Sequence, residues 1–237
     1  MALIRPHLTA VSQSKLNDLI GQLSHDLRSP VRAMIEVADW IQEDLRESGH
    51  SNPEQMSENM ALLSERGARL RTLVSELCVF DQTGTCTDWF DGNWEPLKKR
   101  LCTEVPHLDG FKLNVVTDCS VDMAEQDLYV LMHRLVDNAV RHHHASNGRI
   151  DVMVRPTDEW VELTVIDDGP GIPQDRRAAL VAPFAKSYPH SVGHTHGMGL
   201  AIVARIVAHY SGQLAIEDAR GQSGCSVRIR TPNFRKH

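Results

Sequence analysis

The first residues in this sequence whose types and spacing could do chemistry are a histidine and an adjacent carboxylate. His25 precedes Asp26, Ser29 follows one helical turn later, and Pro30 comes next. A neutral imidazole can attack phosphorus through one ring nitrogen while a carboxylate orients the ring and stabilises the positive charge that develops. Ser29 would share a helix face with His25, where its hydroxyl could orient a water or a phosphoryl oxygen. Taken alone, a histidine on a helix is usually an ordinary solvated side chain.

A second group of polar residues lies in the C-terminal half, on a helix that we predict from about residue 123 to residue 142. Asn138 and Arg141 are three residues apart and therefore share one face of that helix. An amide oxygen suits Mg²⁺, which prefers oxygen ligands, and a guanidinium can bind phosphate oxygens through two hydrogen bonds. The alternative interpretation is a polar helix face without a ligand.

Two glycine-containing segments could also approach a ligand. Asp167 ends an apolar stretch and is followed by Gly169 and Gly171, which admit close backbone contact. The Asp167 carboxylate could accept a hydrogen bond from an exocyclic adenine amine. Gly197 and Gly199 precede an apolar helix, whose N-terminal N–H groups and dipole favour phosphate. Each segment by itself is also an ordinary strand exit or helix start.

The elements that must position the first group are helices. From about residue 13 to residue 46, apolar residues recur at steps of three and four, which predicts a long helix with one buried seam. Gly49 marks its end, and Pro53 suits the first position of a second helix with a seven-residue apolar repeat. Two helices cover their seams only partly, so a pairing of two hairpins into a four-helix bundle predicts a homodimer. The alternative is a hairpin that packs on the C-terminal half of its own chain.

The C-terminal half shows a different pattern. Residues 83–93 are rich in Thr, Asp and Gly and predict a linker. Beyond it, we predict helices at about 123–142 and 199–210, and strands at 112–117, 149–155, 160–166, 213–217 and 226–231. The expected fold is therefore α+β: a helical hairpin over residues 1–82 followed by an α/β sandwich over residues 94–237.

Composition excludes some function classes. The formal charge of −6 argues against a general attraction to nucleic acid. Five scattered cysteines without a C-x-x-C spacing favour a reducing compartment, hence the cytoplasm. Apolar runs long enough for a signal peptide or a membrane span do not occur, so neither is expected.

Taken in order, the motifs resemble those of a known family. The segment from His25 to Pro30 is similar to the H-box of histidine kinases. The helix with Asn138, the Asp-Asp-Gly-Pro-Gly segment, a Phe-containing loop and the final Gly-x-Gly-Leu resemble the ATP-binding domain that these kinases share with Hsp90, type II topoisomerase and MutL. Arg134 departs from this pattern, since many of these kinases have asparagine there.

The resemblance implies a role for each matching residue. His25 is implied as the phosphorylation site, Asp26 as the base that orients it, and Ser29 as the residue that aids dephosphorylation of a partner. In the nucleotide site the implied residues are Asn138 as the Mg²⁺ ligand, Arg141 and His142 at the phosphates, Asp167, Gly169 and Gly171 at the adenine, Phe184 and Lys186 in the F-box, and Gly197 and Gly199 on the phosphate side.

The same resemblance implies an activity, ATP-dependent autophosphorylation of His25 followed by transfer to an aspartate of a response-regulator receiver domain. It implies ATP and Mg²⁺ as cofactors, a homodimer, and a sensor domain or sensor protein outside this chain. Two alternatives stay open, a phosphotransfer scaffold with a degenerate nucleotide domain and a nucleotide-dependent module in which His25 has no role.

We expect His143 and His144, like His190, His194 and His196, to be solvated histidines rather than metal ligands.

Overall fold

The computed structural model describes residues 31–43, 46, 53–117, 119–182, 197–219 and 223–233. These residues belong to two compact units, of which the first ends at Asp81 and the second begins at Gln82. The first unit is helical, and the second combines helices with a sheet. The predicted order, helices followed by an α/β domain, is confirmed.

The first unit contains two helices. Residues 31–43 form part of α1, and Pro53–Gln82 form α2, which begins at the proline that the sequence indicated. A methyl group on Gly67 would lie 3.8 Å from Met34 Cε, an ordinary contact distance, so α1 and α2 face each other at this level. Val37 and Leu73 are the most deeply buried apolar residues described in this unit.

Apolar residues on both helices remain exposed in the single chain. Ile35 and Trp40 on α1 and Met60 and Val74 on α2 have exposed fractions between 47% and 57%. Met60 and Val74 are positions of the predicted seven-residue repeat. Their exposure favours the predicted pairing with a second hairpin, which stays a prediction.

The second unit is built on one five-stranded sheet in the order β1-β2-β3-β5-β4. Its first two strands are parallel and the other neighbours are antiparallel. All five predicted strands occur within one residue of the expected bounds. The strands are β1 Phe111–Thr117, β2 Gly148–Pro156, β3 Trp160–Asp167, β4 Gln213–Asp218 and β5 Cys225–Pro232.

Helices α4 Glu125–Arg141 and α6 Gly199–His209 pack against this sheet. The second unit also contains α3 Trp94–Glu104, which contacts α4, and the single turn α5 Gln174–Arg177. Every second residue of β2 points into the core, and Ile150, Val152 and Val154 are fully buried. Because α4 and α6 pack side by side, the core fixes the position of both helices that carry candidate site residues.

Helix α3 was not predicted, although the sequence carries its signals. Asn93 caps it, because its side-chain oxygen accepts a hydrogen bond from Glu95 N at 3.2 Å. Pro96 lies in the first turn, where a missing N–H costs nothing. Leu97 and Leu101, four residues apart, are both buried.

The segment that the sequence predicts to be a linker makes defined contacts with the second unit. Its Asp88 carbonyl accepts a hydrogen bond from Glu125 N at 2.8 Å, and Phe90 N donates to the carbonyl of Met123 at 3.0 Å. The Phe90 side chain is buried. At least residues 84–90 are therefore attached to the start of α4 and are not free in solution.

A buried carboxylate reinforces this attachment. Asp127 in the first turn of α4 accepts hydrogen bonds from Gly84 N at 3.2 Å and from the Tyr210 hydroxyl at 2.7 Å. The same hydroxyl accepts one from Ala124 N at 3.0 Å. Gly84 has a φ of +83°, and a methyl group there would collide with the His209 ring. The network thus joins the segment before α3 to the start of α4 and the end of α6.

We predict that Asp127→Ala lowers the free energy of unfolding by about 1–3 kcal/mol, because the buried Tyr210 hydroxyl and the partly buried Gly84 N–H lose their acceptor. Denaturant unfolding of the full chain, followed by tryptophan fluorescence, measures this. Asp109→Ala is the matched control, since Asp109 is exposed, and it should change the value by less than about 0.5 kcal/mol. Equal effects of the two substitutions would show that the Asp127 network does not stabilise the domain.

Candidate functional site

The candidate site is best defined at Asp167, the last residue of β3. Its Oδ1 atom accepts hydrogen bonds from Gly169 N at 3.0 Å and from Cys225 N at 3.1 Å. Partial burial raises the pKa of Asp167, and these two N–H donors oppose the rise. Because both donors use Oδ1, Oδ2 is left, among the described residues, to accept a hydrogen bond from a ligand.

Glycines allow the backbone to close around this carboxylate. Gly224 has a φ of +133°, and a methyl group there would come within 1.9 Å of the Asp167 carbonyl oxygen. Gly171 has a φ of +76° and faces the Gly224 carbonyl. The Ser223 hydroxyl donates to the Gly169 carbonyl at 2.9 Å. The start of β5 therefore rests directly on the loop that follows β3.

Sequence reasoning identified Gly169 and Gly171 but missed Ser223 and Gly224. A serine followed by a glycine before a strand is a general turn signal. Their role becomes visible only once β3 and β5 pair, with Ile166 opposite Ser226.

Asn138 and Gly199, both predicted site residues, are neighbours. A methyl group on Gly199 would lie 3.5 Å from Asn138 Oδ1, so the glycine keeps the space beside the amide open. Gly199 begins α6, and its N-cap residue Met198 makes no side-chain capping hydrogen bond. Among the described residues, the first-turn N–H groups of this 11-residue helix are thus available to an anion close to a hard oxygen ligand. This donor set fits a metal–phosphate group.

Gly197, also predicted, stands two residues before α6 with a φ of +68°. A side chain would be strained in this conformation. The residue thus sets the entry of the chain into the helix, close to the same helix N-terminus.

Arg141 and His142 lie one turn beyond Asn138, at the C-terminal end of α4. Arg141 Nε donates to both carboxylate oxygens of Asp137 at 2.7 Å. This pairing involves Nε, so the terminal guanidinium nitrogens lie outside it. His142 is exposed as a residue, yet partial desolvation of its ring and the Arg141 charge lower its pKa. Both effects favour the neutral form of the ring.

Five predicted site residues fall outside the part of the chain that the structure describes. They are His25, Asp26, Ser29, Phe184 and Lys186.

The expectation that His143 is solvated was wrong. Its side chain is only 4% exposed, and its Nε2 lies 3.1 Å from Asp168 Oδ1. Parallel pairing of β1 with β2 brings Phe111 beside Gly148, and the Phe111 ring packs edge-on against the imidazole. His144 is exposed, as expected.

Comparison with known families finds a match for this domain. Residues 123–235 match the family described as histidine kinase-, DNA gyrase B- and HSP90-like ATPase. The matched range contains Asn138, Asp167 and Gly199, the residues at which the structure shows an open amide, a held carboxylate and an uncapped helix.

The curated relatives that the chain resembles are sensor histidine kinases, the family that the motifs indicated. The sensory kinase SasA of a Synechococcus species is 26% identical over 92% of this chain and 59% of its own length. The sensor histidine kinase RppB of Synechocystis is 27% identical, covering 94% of this chain and 50% of its own. The sensor histidine kinase TrcS of Mycobacterium tuberculosis is 26% identical, covering 92% of this chain and 44% of its own length. The chain thus spans about half the length of these relatives.

Solved structures agree on the fold. The Acinetobacter baumannii histidine kinase AdeS superposes with a TM-score of 0.59 at 18% identity, over 88% of this chain and 97% of its own. Histidine kinase ThkA, solved in complex with the response regulator protein TrrA, gives a TM-score of 0.62 at 17% identity, over 94% of this chain and 63% of its own.

Within the described ranges, no helix is both long and apolar enough to cross a bilayer.

We predict opposite pH effects at the two adjacent carboxylates. The raised pKa of Asp167 means that its ionised form destabilises the folded state above the ordinary value of about 4. Relative to wild type, Asp167→Asn should therefore gain unfolding free energy as the pH rises from about 4 to 7. Denaturant unfolding at several pH values tests this.

Asp168→Asn is the matched comparison. The Arg149 N–H holds the pKa of Asp168 below its usual range, so its ionised form stabilises the folded state. This variant should lose unfolding free energy relative to wild type as the pH rises from about 2 to 5, the range in which the folded state is ionised before the unfolded state. Parallel pH profiles for the two variants would contradict the assigned electrostatics.

Proposed function

We propose that this chain is the kinase core of a two-component sensor histidine kinase, which phosphorylates itself on His25 with ATP. The observation that supports this most is the open Asn138 amide beside the uncapped start of α6, in a domain of the ATPase family. Alignment of more than nine-tenths of the chain with sensor kinases adds the N-terminal half to the argument. A scaffold with a degenerate nucleotide domain is not favoured, because Asn138, Asp167, Gly169 and Gly197 are all retained.

In this proposal the second unit binds ATP. Asp167 Oδ2 accepts a hydrogen bond from the adenine amine, with Gly169 and Gly171 at the base. The N–H groups at the start of α6 bind phosphate oxygens, and Arg141 and His142 contact them from α4. Asn138 would be a ligand of Mg²⁺, which neutralises phosphate charge when it is bound.

Transfer to His25 then needs positioning more than covalent help from the protein. An imidazole nitrogen of His25 forms a bond to the γ-phosphorus while the bond to the β–γ bridging oxygen breaks and ADP leaves. Asp26 accepts a hydrogen bond from the other ring nitrogen and stabilises the developing charge. Phe184 and Lys186 complete the nucleotide site in this proposal.

The second half-reaction consumes the phosphohistidine. A carboxylate oxygen of a receiver-domain aspartate attacks phosphorus, the N–P bond breaks, and His25 returns to a neutral imidazole. ThkA was solved in complex with a response regulator, which supports a partner of this kind. Ser29 is the candidate for assisting the later hydrolysis of the aspartyl phosphate.

We further propose the organisation in which this chemistry occurs. Residues 1–82 form the phosphotransfer hairpin, paired with a second copy, and residues 94–237 form the ATP-binding domain. The contacts of residues 84–90 with the ATP-binding domain lead us to place the flexibility that transfer requires before Gly84. The signal comes from a sensor outside this sequence, and the reaction takes place in the cytoplasm.

We predict that the purified chain, incubated with radiolabelled Mg·ATP, acquires acid-labile, base-stable phosphate. His25→Gln should abolish this label, because its amide is not a nucleophile, while nucleotide affinity stays within about twofold. His7→Gln is the control for general loss of a histidine and should label like wild type.

Three results would argue against the proposal. Label that persists in His25→Gln would exclude His25 as the acceptor. Absence of both label and nucleotide binding in every variant would favour the scaffold, and nucleotide binding without label would favour a conformational module.

A further inference from the structure

The buried imidazole of His143 has no role in the chemistry described so far. It belongs to the loop after α4, and its side chain is only 4% exposed. Its Nε2 lies 3.1 Å from Asp168 Oδ1, and its Nδ1 lies 3.1 Å from Ala145 N. Nδ1 also lies 3.0 Å from the Ala145 carbonyl oxygen. Because the Asp168 carboxylate can only accept a hydrogen bond, Nε2–H donates to it.

Two glycines shape the slot that holds this ring. A methyl group on Gly148 would lie 2.9 Å from His143 Nε2, and one on Gly169 would lie 3.2 Å from Cδ2. Phe111 closes a further side with its ring centroid 5.1 Å from that of the imidazole. The ring is therefore in contact with the loop after β3 through both a hydrogen bond and packing.

The contact with Gly169 links His143 to the adenine carboxylate. Gly169 N–H is one of the two donors that hold Asp167 Oδ1. The hydrogen bond to Asp168 fixes the residue between them, which also accepts from Arg149 N at 2.8 Å. Without the imidazole, the loop could relax into the vacated space and withdraw the Gly169 N–H.

We propose that His143 is a positioning residue for adenine recognition: by holding Asp168 and Gly169, it keeps Asp167 Oδ2 directed at the exocyclic amine. The proposal rests on the function proposed above, since it assumes that Asp167 binds adenine. It makes His143 a determinant of the preference for ATP over GTP. Guanine carries a carbonyl oxygen where adenine carries the amine, so it gains nothing from this acceptor.

Two substitutions separate the properties of the ring. His143→Phe keeps the packing and removes the donor, whereas His143→Gln has an amide N–H that can replace Nε2–H. We expect His143→Phe to weaken Mg·ATP binding about tenfold, the worth of one hydrogen bond to a charged group, with little change for Mg·GTP. His143→Gln should recover ATP affinity to within about threefold of wild type. His144→Gln, at the exposed neighbour, is the control.

Titration calorimetry of the full chain with Mg·ATP and Mg·GTP gives both dissociation constants, and a melting curve of each variant reports folding. A change in the ATP/GTP ratio supports the proposal, because loss of stability alone would weaken both nucleotides together. Equal weakening of ATP and GTP in His143→Phe would overturn it, as would an unchanged ATP affinity.

Asp167→Asn distinguishes failure of this inference from failure of the proposed function. Its Oδ1 can keep both N–H bonds, so its amide donor would face the adenine amine and reduce ATP binding. If this variant loses ATP preference and His143→Phe does not, only the inference about His143 is wrong. If Asp167→Asn binds ATP like wild type, the adenine site itself is wrong.

A double substitution tests the proposed route through Asp168. Asp168→Ala removes the acceptor for His143, so His143→Phe should add little to its effect on ATP affinity. Additive losses would mean that the two residues act independently and would contradict the route.

Discussion

The site depends on one partly buried carboxylate that the backbone holds in place. Asp167 sits at the end of β3, where two N–H groups bind one of its oxygens and leave the other for a ligand. Burial opposes its charge, and the raised pKa shows that the two donors do not fully offset that cost. Gly224 makes the arrangement possible, because any side chain there would strike the carbonyl of Asp167. One more hydrogen-bond donor, supplied by a ligand, would therefore stabilise the ionised form of Asp167.

The rest of the second unit positions the proposed phosphate site relative to that carboxylate. Helices α4 and α6 pack together on the sheet and bring the Asn138 amide beside Gly199. The same α4 is tied at its start to the segment before α3 through Asp127 and Gly84. The helix that carries Asn138, the proposed Mg²⁺ ligand, is therefore also the helix to which the connecting segment is attached. In our account this couples the nucleotide domain to the chain that leads to the hairpin.

Much of this architecture was predictable from sequence, for physical reasons that differ between elements. Alternating apolar residues on strands such as β2 mark a sheet with one buried face, so the strands were predicted within one residue. Helix α3 was missed because Asn93, its cap, reads equally well as the end of a polar linker. His143 was misjudged because its burial depends on β1 pairing with β2, a contact between Phe111 and Gly148 far apart in sequence. Candidate site residues within motifs could be identified from the sequence, whereas contacts between segments far apart in the sequence could not.

The central claim is that the free oxygen of Asp167 binds the adenine amine, and the pKa of Asp167 in solution tests it most directly. Carboxyl carbon NMR on the full chain, with and without Mg·ATP, measures this pKa. Our account predicts a value above the ordinary range in the free protein and a lower value with ATP, because the amine stabilises the ionised form. A pKa that ATP leaves unchanged would contradict the account.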